Sequence, residues 1–220
     1  MRGYRERMQV CLASTSPARL MLLRQAGIEP RTMAPDVDEE AVIAAVEQEG
    51  DRRLGADEHV LVLARRKAGD VAARAAADGF EGIVIGGDSM FEIDGEILGK
   101  PYTPVAATLR WRQMRGRTGM LHSGHSVIRV GGGTPSAEAH AVAAASVSFA
   151  ADVTDAEIDA YVASGEPLHV AGAFTIDSLG GAFIDRVDGD PSTVVGMSLS
   201  TVRRLAGELG VTWTDLWNRG

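Results

Sequence analysis

The chain has 220 residues, 45% of them hydrophobic, enough to bury one core of ordinary size in a single domain spanning 1–220. A net charge of -8 and a pI near 5.1 exclude a surface devoted to nucleic-acid backbone, which would cluster Lys and Arg, yet leave room for a local basic pocket that takes a small polyphosphate. No apolar run reaches the length of a membrane span, and the polar, basic residues 1–8 do not lead into a signal-peptide core, so the expected location is cytoplasmic.

In chain order, residues 9–13 predict a short strand. Its Cys11 is the only cysteine, which rules out an internal disulfide framework and fits a reducing cytosol. Ser14-Thr15-Ser16-Pro17 breaks the strand. Ser16 as N-cap, Pro17 at the first helical position and Gly27 past the end predict a helix over 17–26. Such a strand-turn-helix either caps its helix and nothing more, or aims N–H groups, hydroxyls and the positive helix end at an anion, with Arg19 adding a fixed charge. A strand is expected over 31–34 and a helix over 41–47, opened by the acidic run Asp36-Val37-Asp38-Glu39-Glu40. Residues 59–77 have helical spacing and contain Lys67, which composition alone reads as a solvated face residue.

The strand expected over 83–85 runs into Gly86-Gly87-Asp88-Ser89 and reads as a buried strand ending in two glycines and a carboxylate. Glycines there give clearance for a ligand, because no Cβ intrudes. Asp88 then either takes a cation, a metal or a lysine with Lys100 nearest in sequence, or it caps a turn while Lys100 is solvated. Residues 90–98 predict a hairpin turning at Asp94-Gly95. A helix over 103–115 and strands over 120–130 and 139–149 follow, the strands joined by Gly131-Gly132-Gly133, which lacks the spacing of a dinucleotide fingerprint. Thr154 and Glu157 form a capping box for a helix over 154–163. Short strands and glycine turns are expected over 171–177, 181–185 and 188–190, and a closing amphipathic helix over 199–209. Helices alternating with strands early, and hairpins in the middle, make the class α/β with a mixed sheet.

Several chemistries drop out. His122 and His125 fall on opposite faces of their strand, which weakens a zinc site; no G-x-S-x-G elbow occurs, and the one cysteine lies in a core strand. What remains is carboxylates, Asp88 and the acids around Glu39, and cations, Arg19, Lys67 and Lys100. Carboxylates with Mg²⁺ or Mn²⁺, and Lys and Arg on phosphate oxygens, suit phosphoryl chemistry.

The order Leu12-Ala13-Ser14-Thr15-Ser16-Pro17-Ala18-Arg19, Asp36-Val37-Asp38-Glu39, Leu63-Ala64-x-x-Lys67-Ala68, Gly87-Asp88-Ser89 and Ile97-Leu98-Gly99-Lys100-Pro101 resembles the Maf family of nucleoside triphosphate pyrophosphatases. Residues 161–167, 171–174 and 194–199 resemble the family's C-terminal half, so the likeness covers roughly residues 8–210. It implies a two-lobed α/β fold, with an elongated mixed sheet flanked by helices and a central cleft. The activity it implies is metal-dependent hydrolysis of a nucleoside triphosphate to the monophosphate and pyrophosphate, clearing non-standard nucleotides. Carried over, Asp88 is the catalytic base and, with Glu39, a metal ligand for Mg²⁺ or Mn²⁺. Ser14, Arg19, Lys67 and Lys100 hold the triphosphate. The implied partner is the nucleotide, with no stable nucleic acid, no membrane and room for a homodimer. Because the family is also linked to arrest of septum formation, a nucleotide- or nucleic-acid-binding regulator without significant catalysis is the other reading.

Two departures stand out. The family usually carries Ser-Pro-Arg-Arg, whereas here Ala18 replaces the first arginine, so one phosphate contact is either absent or supplied from elsewhere, with Arg65 and Arg66 as the candidates. Where pyrimidine-preferring members resemble Tyr-Gly-Ile-Gln-Gly, this chain has Phe174-Thr175-Ile176-Asp177-Ser178. An ionised Asp177 only accepts hydrogen bonds, which suits a base edge presenting N–H donors, as in guanine or cytosine, or a cationic methylated guanine.

Overall fold

Strand β1 (Gln9–Ala13) is buried over its last four residues, as expected of a strand covered on both faces. It pairs in parallel with β2 (Arg31–Thr32) on one side and with β3 (Gly82–Ile93) on the other. Strands β5 (Thr118–Gly131), β6 (Thr134–Phe149) and β7 (Ile184–Asp188) continue the sheet in antiparallel fashion, giving the order β2-β1-β3-β5-β6-β7. The short β4 (Glu96–Leu98) pairs with the far end of β3. This computed structural model describes residues 8–218; the basic stretch 1–7 lies outside them. The mixed seven-stranded sheet with helices on both faces is the α/β architecture expected.

Helices set the strand directions. The parallel end exists because α1 (Pro17–Gln25), α2 (Glu39–Gly50) and α3 (Ala56–Ala77) carry the chain back across the sheet. The antiparallel hairpins turn at Asp94-Gly95 (φ 53° and 80°) and Gly132-Gly133 (φ 61° and 76°), left-handed pairs that match the sheet's twist.

Helix α3 lies on one face with Val60, Leu63, Ala64, Ala68, Val71, Ala72 and Ala75 buried, an unbroken stripe at 3- and 4-residue spacing. It sits so close that a Cβ at Gly86 would lie 2.6 Å from the Ala64 carbonyl oxygen, and one at Gly124 would lie 2.3 Å from that of Val60. Gly86 therefore clears a helix and not a ligand, which corrects the expectation for that position. The other face packs Leu12, Ile83, Ile85 and Val127 against Leu23 of α1 and Val202 and Leu205 of α7 (Leu199–Glu208). Beyond the middle of the sheet, α4 (Pro104–Met114) and α5 (Asp155–Ala163) cover a cluster in which Phe91, Trp111, Phe149, Tyr161, Phe174 and Phe183 meet edge to face. The buried Trp111 Nε1 donates to the Ala173 carbonyl at 2.7 Å.

The structure departs from the sequence reading in particular places. The Gly-Gly-Asp run does not end its strand, because β3 continues as one partner of β5 through to Ile93. Residues 171–173 form a 3₁₀ turn in place of a strand, since Gly172 and Ala173 take φ of 73° and 60°, and 179–183 form another, with strand only from Ile184 onward. A five-residue helix, α6 (Pro191–Val195), stands in a stretch to which the sequence assigned no element, too short for periodicity to register.

Candidate active site

On one edge β3 pairs with β1 over 82–86 and with β4 over 91–93, so residues 87–90 have no strand partner there among the described residues. Asp88 occupies this gap, beyond the C-terminal end of β1, the position where open α/β sheets gather ligands. Strand parity then divides the neighbours. Asp88 shares the α3 face with Gly86, while Gly87 and Ser89 look the other way, toward α1 and α6.

On the α3 face, Lys67 Nζ lies 2.7 Å from Asp88 Oδ1 and 2.8 Å from Glu39 Oε1. Lys67 is 7% exposed, at a position within α3's apolar stripe, and Asp88's side chain is 14% exposed. The carboxylates offset the cost of burying the ammonium. Asp38 caps α2 through its contact with the Ala41 N–H, which places Glu39 at the helix's first residue, half in water, over the pair.

On the opposite face Arg19 is held from three sides. Its Nε donates to the Gly196 carbonyl at 2.8 Å, Nη2 to Ser89 Oγ at 3.1 Å and Nη1 to Ser14 Oγ at 3.4 Å. Ser14 also accepts from the Ser16 N–H, and Ser16 caps α1 by accepting from the Arg19 N–H, so the predicted cap is present. Burial lowers the Arg19 pKa, opposed by the charges of Asp88 and Glu39, which places the two carboxylates within its field. The Ser89 and Ser123 hydroxyls are 3.0 Å apart, and both reach the Gly196 carbonyl. Behind them His125, fully buried, accepts from the Ser198 N–H at 2.9 Å; burial and then Arg19 push its pKa down to about 4, so it stays neutral.

Ser14, Arg19, Lys67, Asp88 and Glu39 thus converge. Lys100 and Asp177 do not join them: both are exposed and neither makes a side-chain hydrogen bond or ion pair among the described residues. Asp177 rides on a loop whose neighbours Thr175, Ser178, Leu179 and Gly180 all donate to the Glu166 carboxylate. Arg65 is not a substitute for the missing arginine, being bound to Glu138 at 2.9 and 3.0 Å on another part of the sheet. Arg66 lines a groove of about 570 Å³ with Asp36, Asp38 and Asp70. Sequence reasoning gave no role to Ser123, Gly196 or His125, which act only through folding; Lys67 came in through the family resemblance alone, although it lies within the buried stripe 60-64-68-71.

The donor set suits a hard divalent cation. Asp88 and Glu39 each direct a carboxylate oxygen at the Lys67 ammonium, which such a cation would have to share or displace, and no group of three or more His, Cys, Asp or Glu side chains gathers among the described residues. Mg²⁺ is held this way, by one or two carboxylates with phosphate oxygens completing the shell.

Fold and site define an α/β protein that sets buried cations and carboxylates against each other where a parallel strand ends on a mixed sheet. The chain belongs to the Maf family: the family model described as Maf-like protein matches residues 9–209. It is 61% identical over 214 residues to a nucleoside triphosphate pyrophosphatase of Leifsonia xyli, covering 96% of this chain and 98% of that one. It is 52% identical over 211 residues to a protein of the same name from Rhodococcus jostii, covering 94% of each. Among solved structures, the Staphylococcus aureus Ham1 protein overlays 65% of this chain and 72% of its own at a TM-score of 0.35 and 13% identity, too slight a likeness to define the fold.

Proposed function

We propose that the protein is a nucleoside triphosphate pyrophosphatase, cleaving the anhydride between the α- and β-phosphates to give the monophosphate and pyrophosphate. The observation that carries this reading is the Asp88–Lys67–Glu39 cluster facing Arg19 across the gap in β3. A binding module would use the cations but has little need of a costly carboxylate between them. The names of the relatives point the same way.

In this reading water attacks the α-phosphorus while Asp88 accepts its proton. The bond from that phosphorus to the bridging oxygen breaks, and the oxygen leaves on pyrophosphate. Lys67 orients Asp88; Ser14 and Arg19 bind phosphate oxygens as charge develops, with Lys100 swinging in from its exposed loop. A divalent cation, Mg²⁺ or Mn²⁺ on Asp88 and Glu39, would supply charge neutralisation at the phosphates. Asp177 would read the N–H edge of the base, and the site would be a cleft between two lobes of one domain working in the cytoplasm on non-standard nucleotides.

The test is to incubate the protein with standard and modified nucleoside triphosphates plus Mg²⁺ or Mn²⁺ and analyse the products. Monophosphate and pyrophosphate are expected, and Asp88→Asn should lower kcat on the order of 10²–10⁴-fold. Orthophosphate as the product, binding without turnover, or full activity of Asp88→Asn would each overturn the proposal.

A further inference from the structure

We propose that Asp190 is a positioning residue for Arg19, acting through the turn that carries the Gly196 carbonyl. The inference rests on the reading of Arg19 as a phosphate-binding group.

The Asp190 carboxylate accepts five hydrogen bonds. Oδ1 takes the Ser192 N–H at 2.9 Å and the Ser192 hydroxyl at 2.6 Å. Oδ2 takes the Ser198 hydroxyl at 2.8 Å, the Ser200 hydroxyl at 2.7 Å and the Ser200 N–H at 3.3 Å. Capping the five-residue α6 accounts for the Ser192 pair alone. The other three donors belong to the start of α7, whose own N-cap, Ser198, accepts from the Thr201 N–H. One carboxylate therefore clamps the N-terminus of α6 to the N-terminus of α7, with Gly196 on the link between them. Burial raises the Asp190 pKa, but the serine hydrogen bonds outweigh it and bring the group to about 2, so the clamp is an anion at working pH.

The clamp works on this link beside two further contacts, the Ser198 N–H to His125 and the Leu199 N–H to the Ser192 hydroxyl. Gly196 ends α6 at φ 120°, a conformation that side-chain-bearing residues rarely adopt. Its N–H turns back to the Ser192 and Thr193 carbonyls, and its own carbonyl collects Arg19 Nε, Ser89 Oγ and Ser123 Oγ. That carbonyl makes the shortest of Arg19's three side-chain contacts, and with the Ser14 and Ser89 hydroxyls it orients the guanidinium. Arginine carries about 2 kcal/mol of rotamer entropy, so a guanidinium pinned at Nε binds an anion without losing that freedom again. Asp190 touches none of the reacting groups; it sets where Arg19 points.

The experiment is a double-mutant cycle on the full chain, with kcat and KM measured for a hydrolysed nucleoside triphosphate in Mg²⁺. Asp190→Asn should raise KM about tenfold with a smaller change in kcat, and Ser200→Ala should give a weaker rise of the same kind. In an Arg19→Ala background neither substitution should raise KM further, because the group they position is gone. Rises in KM that simply multiply in the double variants would overturn the proposal and assign Asp190 to stability alone. Ser200→Ala, at an exposed serine, carries the same cycle if Asp190→Asn does not fold. Should Arg19→Ala leave KM unchanged, the phosphate role of Arg19 falls and this inference falls with it, whereas a KM effect of Arg19→Ala with multiplicative doubles rejects the inference alone.

Discussion

Lys67 shows what a single buried charge does in this protein. It stands in the apolar stripe of α3 with Asp88 and Glu39 on its ammonium, so removing it leaves two carboxylates facing each other without a counter-charge. Breaking a fully buried pair costs roughly 3–5 kcal/mol; with Glu39 half in water, Lys67→Met should cost about 2 kcal/mol. Thermal unfolding should register this as a fall of about 5 °C in Tm. If phosphate also rests on Lys67, kcat should fall on the order of 10²-fold, and a variant with unchanged turnover would remove Lys67 from the reaction. From the sequence Asp88 could be singled out as a carboxylate in need of a cation. Its partner could not, because a lone Lys in an Ala- and Arg-rich helix is ordinarily solvated, and Lys100, nearer in sequence, turned out exposed. The partner came from 21 residues upstream, through helix-on-sheet packing.

At the scale of elements, the contact between α3 and the sheet decides where that lysine sits. Gly86 and Gly124 let the helix backbone approach, and any Cβ at Gly86 would meet both the Ala64 carbonyl and the Ala68 backbone. Neither obstacle is a flexible side-chain tip, so Gly86→Ala must push α3 outward and carry Lys67 away from Asp88. We expect a loss of about 3 kcal/mol or more, with turnover falling alongside, read by denaturant unfolding and by activity. Gly99→Ala, where nothing lies within 4 Å, should change stability by less than about 0.5 kcal/mol. Equal effects of the two would show that helix approach is not the constraint. The early strands, the capped helices and both glycine hairpins could be read from the sequence because their signals are local. The 3₁₀ turns after Val170 and the continuation of β3 past Asp88 depend on distant partners, Phe91 against Gly172 and β5 alongside β3, and no local pattern reports those.

Across the whole molecule, several groups have folded pKa values below their ordinary ones, and His125, Asp190 and Glu166 are those that combine burial with a large shift. His125 is held at about 4 by burial and by Arg19, against an ordinary value near 6.5. Between those values the unfolded chain binds a proton that the native protein refuses, so stability rises with pH across the window and is lost as pH falls from about 6.5 to 4. The loss from this residue is on the order of 3 kcal/mol. Asp190 and Glu166 are each held at about 2 because their hydrogen bonds outweigh burial, so their contributions are present above the ordinary carboxylate range and are lost as pH falls toward 2. All three effects run in one direction and in sequence, and the first begins where carboxylates alone would leave stability flat. Urea midpoints measured at intervals from pH 7 to pH 3 should therefore start to fall near pH 6.5 and keep falling. His125→Gln should abolish the upper part of the decline while the part below pH 4.5 remains. A midpoint unchanged between pH 7 and pH 4.5 in the parent protein would show that His125 takes up its proton while folded, and that Ser198 and the α7 turn do not depend on its neutral ring.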